Sequence, residues 1–289
     1  MDIKILIDTS ADMPKELIEK YDFGVLSFMS IFGEKSYKSG VDITNEEFYD
    51  MLENYDGFPT TSQTPPAEMY DCFLKETTEH DAVIFFTISS KGSGQNHTAQ
   101  MMREQLLDEK PDAKLYIVDS MSYSLFIAMT AVKAAEMAEE GKTPEEIVDK
   151  CEAYIKTWNC KLVVDDLTYL EKGGRINKTS AIIGSLLDIK PVLTIKNGLV
   201  EADGKLRGKK KIIDKLIAVI EESPEFNSEN PEFAVVHSDD EKGKEAVVKL
   251  EEKFGKGCIK MYSEFGPIIG THVGRGGTAI LYRTNRPME

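Results

Sequence analysis

The chain has 289 residues, 41% of them hydrophobic and 29% charged, with a formal net charge of −15. That length favours two domains over one core. So acidic a balance leaves no broad basic surface for general nucleic-acid binding or for attachment to anionic membranes. No apolar run reaches the roughly 20 residues of a membrane span, and no signal-peptide pattern opens the sequence. A cytoplasmic protein with no stable membrane insertion is expected.

In chain order, Ile3, Ile5 and Ile7 form a first strand, which ends in Asp8-Thr9-Ser10. A helix over Pro14–Tyr21 follows, with Pro near its first turn, where a missing N–H costs nothing. Gly24–Ile31 reads as a second strand. Thr44 opens a helix within Val41–Tyr55, with Glu47 at capping-box spacing. Pro59 to Pro66 is a hydroxyl-rich loop bounded by prolines, and a helix runs from Pro66 to Thr78. Val83, Ile84, Phe85, Phe86 and Ile88 make an apolar run suited to a strand covered on both faces. Ser89, Ser90, Gly92, Ser93 and Gly94 then lead into a helix carrying Ala99, Met102 and Leu106. Lys114–Val118 is a strand ending in Asp119-Ser120. A helix over Tyr123–Glu140 stops at Gly141, and Thr143-Pro144-Glu145-Glu146 starts another that reaches about Trp158. Strand and helix alternate throughout this part, implying a mostly parallel sheet with helices on both faces.

The domain boundary falls at 158/159, giving an N-terminal α/β domain over 1–158 and a C-terminal one over 159–289. In the second part, Lys161–Asp166 is a strand, Tyr169–Asn177 a loop, and Ser180–Pro191 a helix with an apolar stripe of Ile182, Ile183, Leu186 and Leu187. Val192–Ile195 and Leu199–Ala202 flank an Asn197-Gly198 hairpin signal, so this sheet contains antiparallel pairs. Helices over Lys209–Glu222 and Asp240–Phe254, strands over Glu232–His237, Cys258–Tyr262 and Thr278–Tyr282, and a helical turn at Pro267–Thr271 complete the pattern.

Several segments carry candidate chemistry. A Ser/Gly turn feeding a helix N-terminus can hold an anion, yet Ser93 can equally serve only as a helix cap. Thr61-Ser62-Gln63 offers hydroxyl and amide donors, suited to a carboxylate or phosphate beside an apolar body. The loop Glu171-Lys-Gly-Gly-Arg175 permits close backbone approach, and Arg175 could fork onto an anion or lie on the surface. Gly266–Gly277 is glycine-dense and contains His272, able to donate to an anion or to take a proton. No G-x-S-x-G elbow surrounds Ser93, because Lys91 and Gln95 occupy the glycine positions, and no P-loop is present. Cys72, Cys151, Cys160 and Cys258 form no C-x-x-C pair, and the four histidines lie in separate segments. Neither a metal site nor a disulfide is expected.

In order along the chain, Asp8-Thr-Ser-Ala-Asp12, Thr61-Ser-Gln63, Ile88-Ser-Ser90 with Ser93-Gly94 and Ala99, Asp119-Ser120, Leu170-Glu-Lys-Gly-Gly-Arg175-Ile176 and Gly270-Thr-His-Val-Gly274 resemble the DegV family of bacterial fatty-acid-binding proteins. The resemblance covers essentially the whole chain. It implies two α/β domains, the N-terminal sheet mostly parallel and flanked by helices, the C-terminal sheet mixed. Between them a long-chain fatty acid would lie, its carboxylate at the domain interface and its tail in a buried tunnel. It further implies a lipid-carrying accessory subunit, without catalysis or cofactor of its own, that presents the acid to a fatty acid kinase catalytic subunit for acyl-phosphate formation. By motif, Thr61 and Ser93 would hold the carboxylate, helped by Ser62, the Gly94 N–H and His272, while Arg175 at the mouth would meet the kinase. The other class of reading is a hydrolase or transferase using Ser93 and His272 on a small acyl or phosphate ester. Some positions depart from the family pattern: Gly92 for a leucine, Gln95-Asn96 for Thr-Tyr, Thr64 for a proline, and Arg275 for a proline.

Overall fold

The computed structural model describes residues 1–176, 189–208 and 210–288. Four parallel strands, Ile3–Asp8 (β1), Gly24–Leu26 (β2), Ala82–Thr87 (β6) and Leu115–Asp119 (β7), form a sheet in the order β2-β1-β6-β7. Its central strand β6 is buried along its whole length. Period-2 alternation sends Val83 and Phe85 to one face and Ile84 and Phe86 to the other. Helices Pro66–Glu79 (α3) and Gln95–Glu109 (α4) cover the first face through Met69, Phe73 and Leu106. The second face packs on Leu125–Glu139 (α5) and Pro144–Ile155 (α6). Ten of the fifteen residues of α5 are buried, because it lies between this sheet and the next; an all-round apolar helix is what that position requires.

The second sheet has six strands: Trp158–Val163 (β8), Ile189–Lys196 (β9), Leu199–Arg207 (β10), Phe233–His237 (β11), Ile259–Glu264 (β12) and Thr278–Arg283 (β13). Their order is β10-β9-β8-β13-β11-β12, antiparallel except for the β11–β12 pair. Asn197 and Gly198 have φ of 50° and 77°, so the expected Asn-Gly hairpin forms with both turn residues left-handed. Ile280, Tyr282, Phe233 and Val235 face helices Ile212–Glu221 (α8) and Asp240–Phe254 (α9). Ala279, Leu281, Ala234 and Val236 face the opposite way, toward α5 and the first sheet. The molecule is therefore an α/β fold whose two larger sheets are one parallel and one mixed. Among the described residues no helix is long and apolar enough to cross a membrane, and the four cysteines are unpaired.

Four expectations need correction. Gly24–Ile31 is not one strand: the chain leaves β2 at Ser27-Phe28, where Thr9 Oγ1 accepts the Phe28 N–H at 3.0 Å. It then enters Met29–Phe32 (β3) of a separate antiparallel sheet with Lys35–Lys38 (β4) and Thr60–Ser62 (β5), ordered β4-β3-β5. Thr61 and Ser62 thus lie on a strand rather than in a loop. Tyr169–Asn177 begins as a helix, Thr168–Gly173 (α7). The helix expected over Ser180–Pro191 is already strand β9 from Ile189 onward; its stripe Ile182, Ile183, Leu186 and Leu187 lies outside the described residues. The caps at Thr44 and Thr143 form both halves of their boxes, opening Asn45–Asn54 (α2) and α6.

Candidate functional site

A cavity of about 840 Å³, counted with its open mouth, lies between the inner face of the six-stranded sheet, helix Pro267–Val273 (α10) and the loops at the carboxyl end of the parallel sheet. Carbon dominates its walls: Leu162, Leu193, Val236, Ile268, Ala279 and Leu281 contribute from both sides. Thr61, Ser93, His272 and Arg175 also line it. Among the described lining residues Arg175 is the one charged side chain, and none of them is a carboxylate. An apolar cavity with a few polar groups, one of them cationic, suits an amphipathic anion.

Strand register explains why Thr61 reaches the cavity. It pairs with Ser30 on β3, and alternation along β5 turns the neighbouring Ser62 outward. Ser62 is exposed, donates only to the Gln63 carbonyl at 3.5 Å, and does not line the cavity. Thr61 Oγ1 lies 3.1 Å from His272 Nε2. Burial and the nearby Arg175 guanidinium push the His272 pKa down to about 4, so the ring is neutral near pH 7. Its Nδ1 is buried, has no hydrogen-bond partner among the described residues, and abuts Gly173, where an added Cβ would stand 2.2 Å from it. A buried N–H without an acceptor is rarer than an unsatisfied acceptor, which places the proton on Nε2. His272 then donates to Thr61 Oγ1, and the Thr61 proton is left for the cavity.

Ser93 stands one residue before the N-cap of α4 and also faces the cavity. Its Oγ accepts the Gln95 N–H at 3.2 Å at the start of α4, while the hydroxyl proton has no acceptor among the described residues and the side chain lines the cavity. Gly94 is the N-cap residue of α4, exposed, and among the described residues no acceptor takes its N–H. Arg175 is half-buried, its Nε donating to Gly92 O at 3.3 Å and its Nη1 to Gly173 O at 2.5 Å. It therefore ties the Ser/Gly loop to the end of α7 instead of standing free on the surface. His272 bonds Thr61 and Ser93 bonds Gln95, so the Ser93–His272 pair required for a nucleophile and base is not made. Among the described residues one group clusters metal-type ligand atoms, Glu76, Glu79 and His80 within 4.8 Å. Lys75 pairs with both glutamates and Asp2 with His80, and none of them lines the cavity.

A family model described as "Uncharacterised protein, DegV family" matches residues 2–285. This chain belongs to the DegV family. A protein called fatty acid-binding protein from Thermotoga maritima is 33% identical over 96% of each chain. The crystal structure of DegV, a fatty acid binding protein from Bacillus subtilis, superposes with a TM-score of 0.82 at 30% identity, covering 99% of this chain and 100% of that one. A stearic acid-binding protein from Eubacterium ventriosum gives a TM-score of 0.88 at 27% identity over 97% and 98% of the two chains.

Of the positions where the sequence departs from the expected DegV pattern, Gln95 and Thr64 contact each other, while Gly92 and Arg275 each meet other residues. The side-chain space at Gly92 belongs to Tyr123, whose OH would lie 2.3 Å from a Cβ there. Gln95 and Thr64 bond each other twice: Gln95 Oε1 accepts the Thr64 N–H at 3.2 Å, and Gln95 Nε2 donates to Thr64 Oγ1 at 3.0 Å. A proline at 64 would supply neither group. Arg275 lies 5.3 Å from the Tyr49 ring centroid and pairs with Glu53 on α2 at 2.8 Å.

Sequence reasoning missed two further ties. The Gly198 carbonyl at the β9–β10 turn accepts from both Ser89 Oγ and Tyr123 OH, each at 2.8 Å, so the hairpin that lines the cavity is pinned to the parallel-sheet loops. Asp12 is buried in the left-handed region, φ 51°. Its Oδ1 accepts the Gly266 N–H at 2.8 Å and its other oxygen the Ser124 hydroxyl, anchoring the start of α10, the helix that carries His272. Asp12 was visible as the end of the Asp8–Asp12 family segment, but nothing there revealed its anchoring role; Asp is among the residues that tolerate positive φ.

Proposed function

We propose that this protein binds a long-chain fatty acid in the cavity, with the carboxylate at Thr61, Ser93 and the Gly94 N–H, and with His272 behind Thr61, orienting its hydroxyl. The observation that carries this reading is the pairing of an apolar cavity, free of acidic side chains among the described residues, with the uncommitted hydroxyl protons of Thr61 and Ser93. Hydroxyl and N–H donors hold a carboxylate without burying a counter-charge that would be costly when the site is empty. Neutral His272 fits the same logic: it orients Thr61 and does not compete as a base. The DegV relatives described as binding fatty acids, one of them stearic acid, support the same ligand class. Ser62 has no part in this arrangement.

The protein presents the bound acid to a separate kinase catalytic subunit, which phosphorylates the carboxylate; it has no catalytic activity or cofactor of its own. Exposed Gly94 and half-buried Arg175 beside the head group leave the carboxylate reachable from the mouth. Residues 1–158 and 159–289 act as the two domains that enclose the ligand. Mass spectrometry of gently extracted protein tests binding: fatty acid should co-purify or be taken up on incubation, and a protein that does neither refutes the reading. The presentation step is tested with the kinase subunit, where Arg175→Ala should slow acyl-phosphate formation without emptying the cavity.

A further inference from the structure

Gln95 does not line the cavity, yet it touches both arms of the proposed carboxylate site. Its backbone N–H donates to Ser93 Oγ at 3.2 Å. Its side-chain amide bonds Thr64 at two points, the N–H at 3.2 Å and Oγ1 at 3.0 Å. Thr64 in turn donates to the Ser27 carbonyl at 3.0 Å, just before β3, the strand that pairs with β5. Both side chains are sealed, Gln95 at 0% and Thr64 at 1% exposure. A second amide bridge, Gln63 Nε2 to Thr98 Oγ1 at 2.7 Å, runs parallel to the first. Thr61 lies three residues before the clasp on one arm and Ser93 two residues before it on the other.

We propose that Gln95 is a positioning residue that sets the separation and orientation of the Thr61 and Ser93 hydroxyls, and through them selects a carboxylate head group. A two-point amide bond fixes direction as well as distance, which a single hydroxyl contact does not. Its main-chain N–H occupies a lone pair of Ser93 and leaves the hydroxyl proton free to meet a ligand. The acyl chain touches none of these groups; the clasp acts on head-group recognition and leaves tail binding alone.

The inference rests on the fatty-acid reading, and the test separates the two. Lipid-stripped wild type, Gln95→Leu and Thr64→Val are titrated with palmitic acid and with methyl palmitate, which has the same tail and no carboxylate. The wild type should favour the acid. Gln95→Leu should bind the acid about tenfold more weakly, about 1.4 kcal/mol, the size of one buried hydrogen-bond defect, with the ester unchanged. Thr64→Val, which loses only the hydroxyl, should shift the same ratio by less; it carries the test if Gln95→Leu does not fold. Parallel weakening of acid and ester, or an unaltered ratio, overturns the inference alone. A wild type that takes up neither compound overturns the fatty-acid reading and this inference with it.

Discussion

Replacing Ala279 with leucine puts three more carbons into the cavity without touching its polar groups. Ala279 is 5% exposed on β13, opposite Leu162, and shares its face with Leu281, the next inward residue. If an acyl tail fills this space, the added carbons displace about three methylenes, worth about 0.8 kcal/mol each. Palmitic acid should then bind about 50-fold more weakly, while shorter acids suffer less. In the lipid-free protein the same carbons enter empty volume and contribute up to about 2 kcal/mol of burial. Tm should therefore hold or rise by a few degrees. The opposite signs are the diagnostic, read by titration calorimetry and differential scanning calorimetry on stripped protein. A lower Tm, as overpacking by about 1–3 kcal/mol would produce, shows that no space exists there. Unchanged palmitate affinity shows that the tail lies elsewhere; either result refutes the reasoning.

Thr61→Val keeps the shape of the side chain but leaves the His272 Nε2–H without its acceptor. Stability in urea should fall by about 1–3 kcal/mol, and fatty-acid affinity about tenfold; an unaltered affinity would remove Thr61 from the site. Tyr123→Phe deletes one of the two donors to the Gly198 carbonyl, so stopped-flow release of a fluorescent fatty acid should quicken several-fold, and an unchanged rate would dismiss the hairpin pin. His272 has a folded pKa of about 4, below its ordinary value of 6.5, so its contribution is complete above pH 6.5 and lost as pH falls toward 4. The Tm advantage of wild type over His272→Asn should shrink across that window, and a constant gap would refute the neutral buried ring. Burial raises the Asp8 pKa to about 6, which reverses the sign: its neutral form contributes below pH 3.8, and that contribution is lost as pH rises through 6. Asp8→Asn should accordingly gain on wild type in Tm as pH climbs from 4 to 7, as read by the same scans.

The candidate site was legible to different depths. Ser93 stood out because a Ser/Gly turn between a buried strand and a helix is a local pattern, and α4 does start beside it. Thr61 was visible as a residue type in a hydroxyl-rich segment, but not as a strand residue. Three strand residues bounded by prolines carry too little periodicity to register, and the difference between Thr61 and Ser62 is only which face of β5 each takes. The orientation of His272 depends on Gly173 and Arg175, about 100 residues away in the chain. The Gly24–Ile31 error has the same origin. Its apolar residues continue past Ser27 and Ser30 with no Gly, Pro or Asn to mark a break, and only the pairing of β2 with β1 and of β3 with β4, with the Phe28–Thr9 bond between them, shows that the chain changes sheets there.

By itself the sequence determined the alternation of strands and helices, the caps at Thr44 and Thr143, the Asn197-Gly198 turn and the buried character of β6. Each depends on residues within about four positions of one another, through periodicity, capping and turn chemistry. Tertiary structure alone decided that Ala279 and Leu281 face a cavity while Ile280 and Tyr282 face helices. It also decided that Tyr123 fills the place of a side chain at Gly92, and that Gln95 and Thr64 answer each other. Those outcomes depend on which surfaces meet once two sheets pack around α5, and a contact between distant segments leaves no periodic trace in either of them.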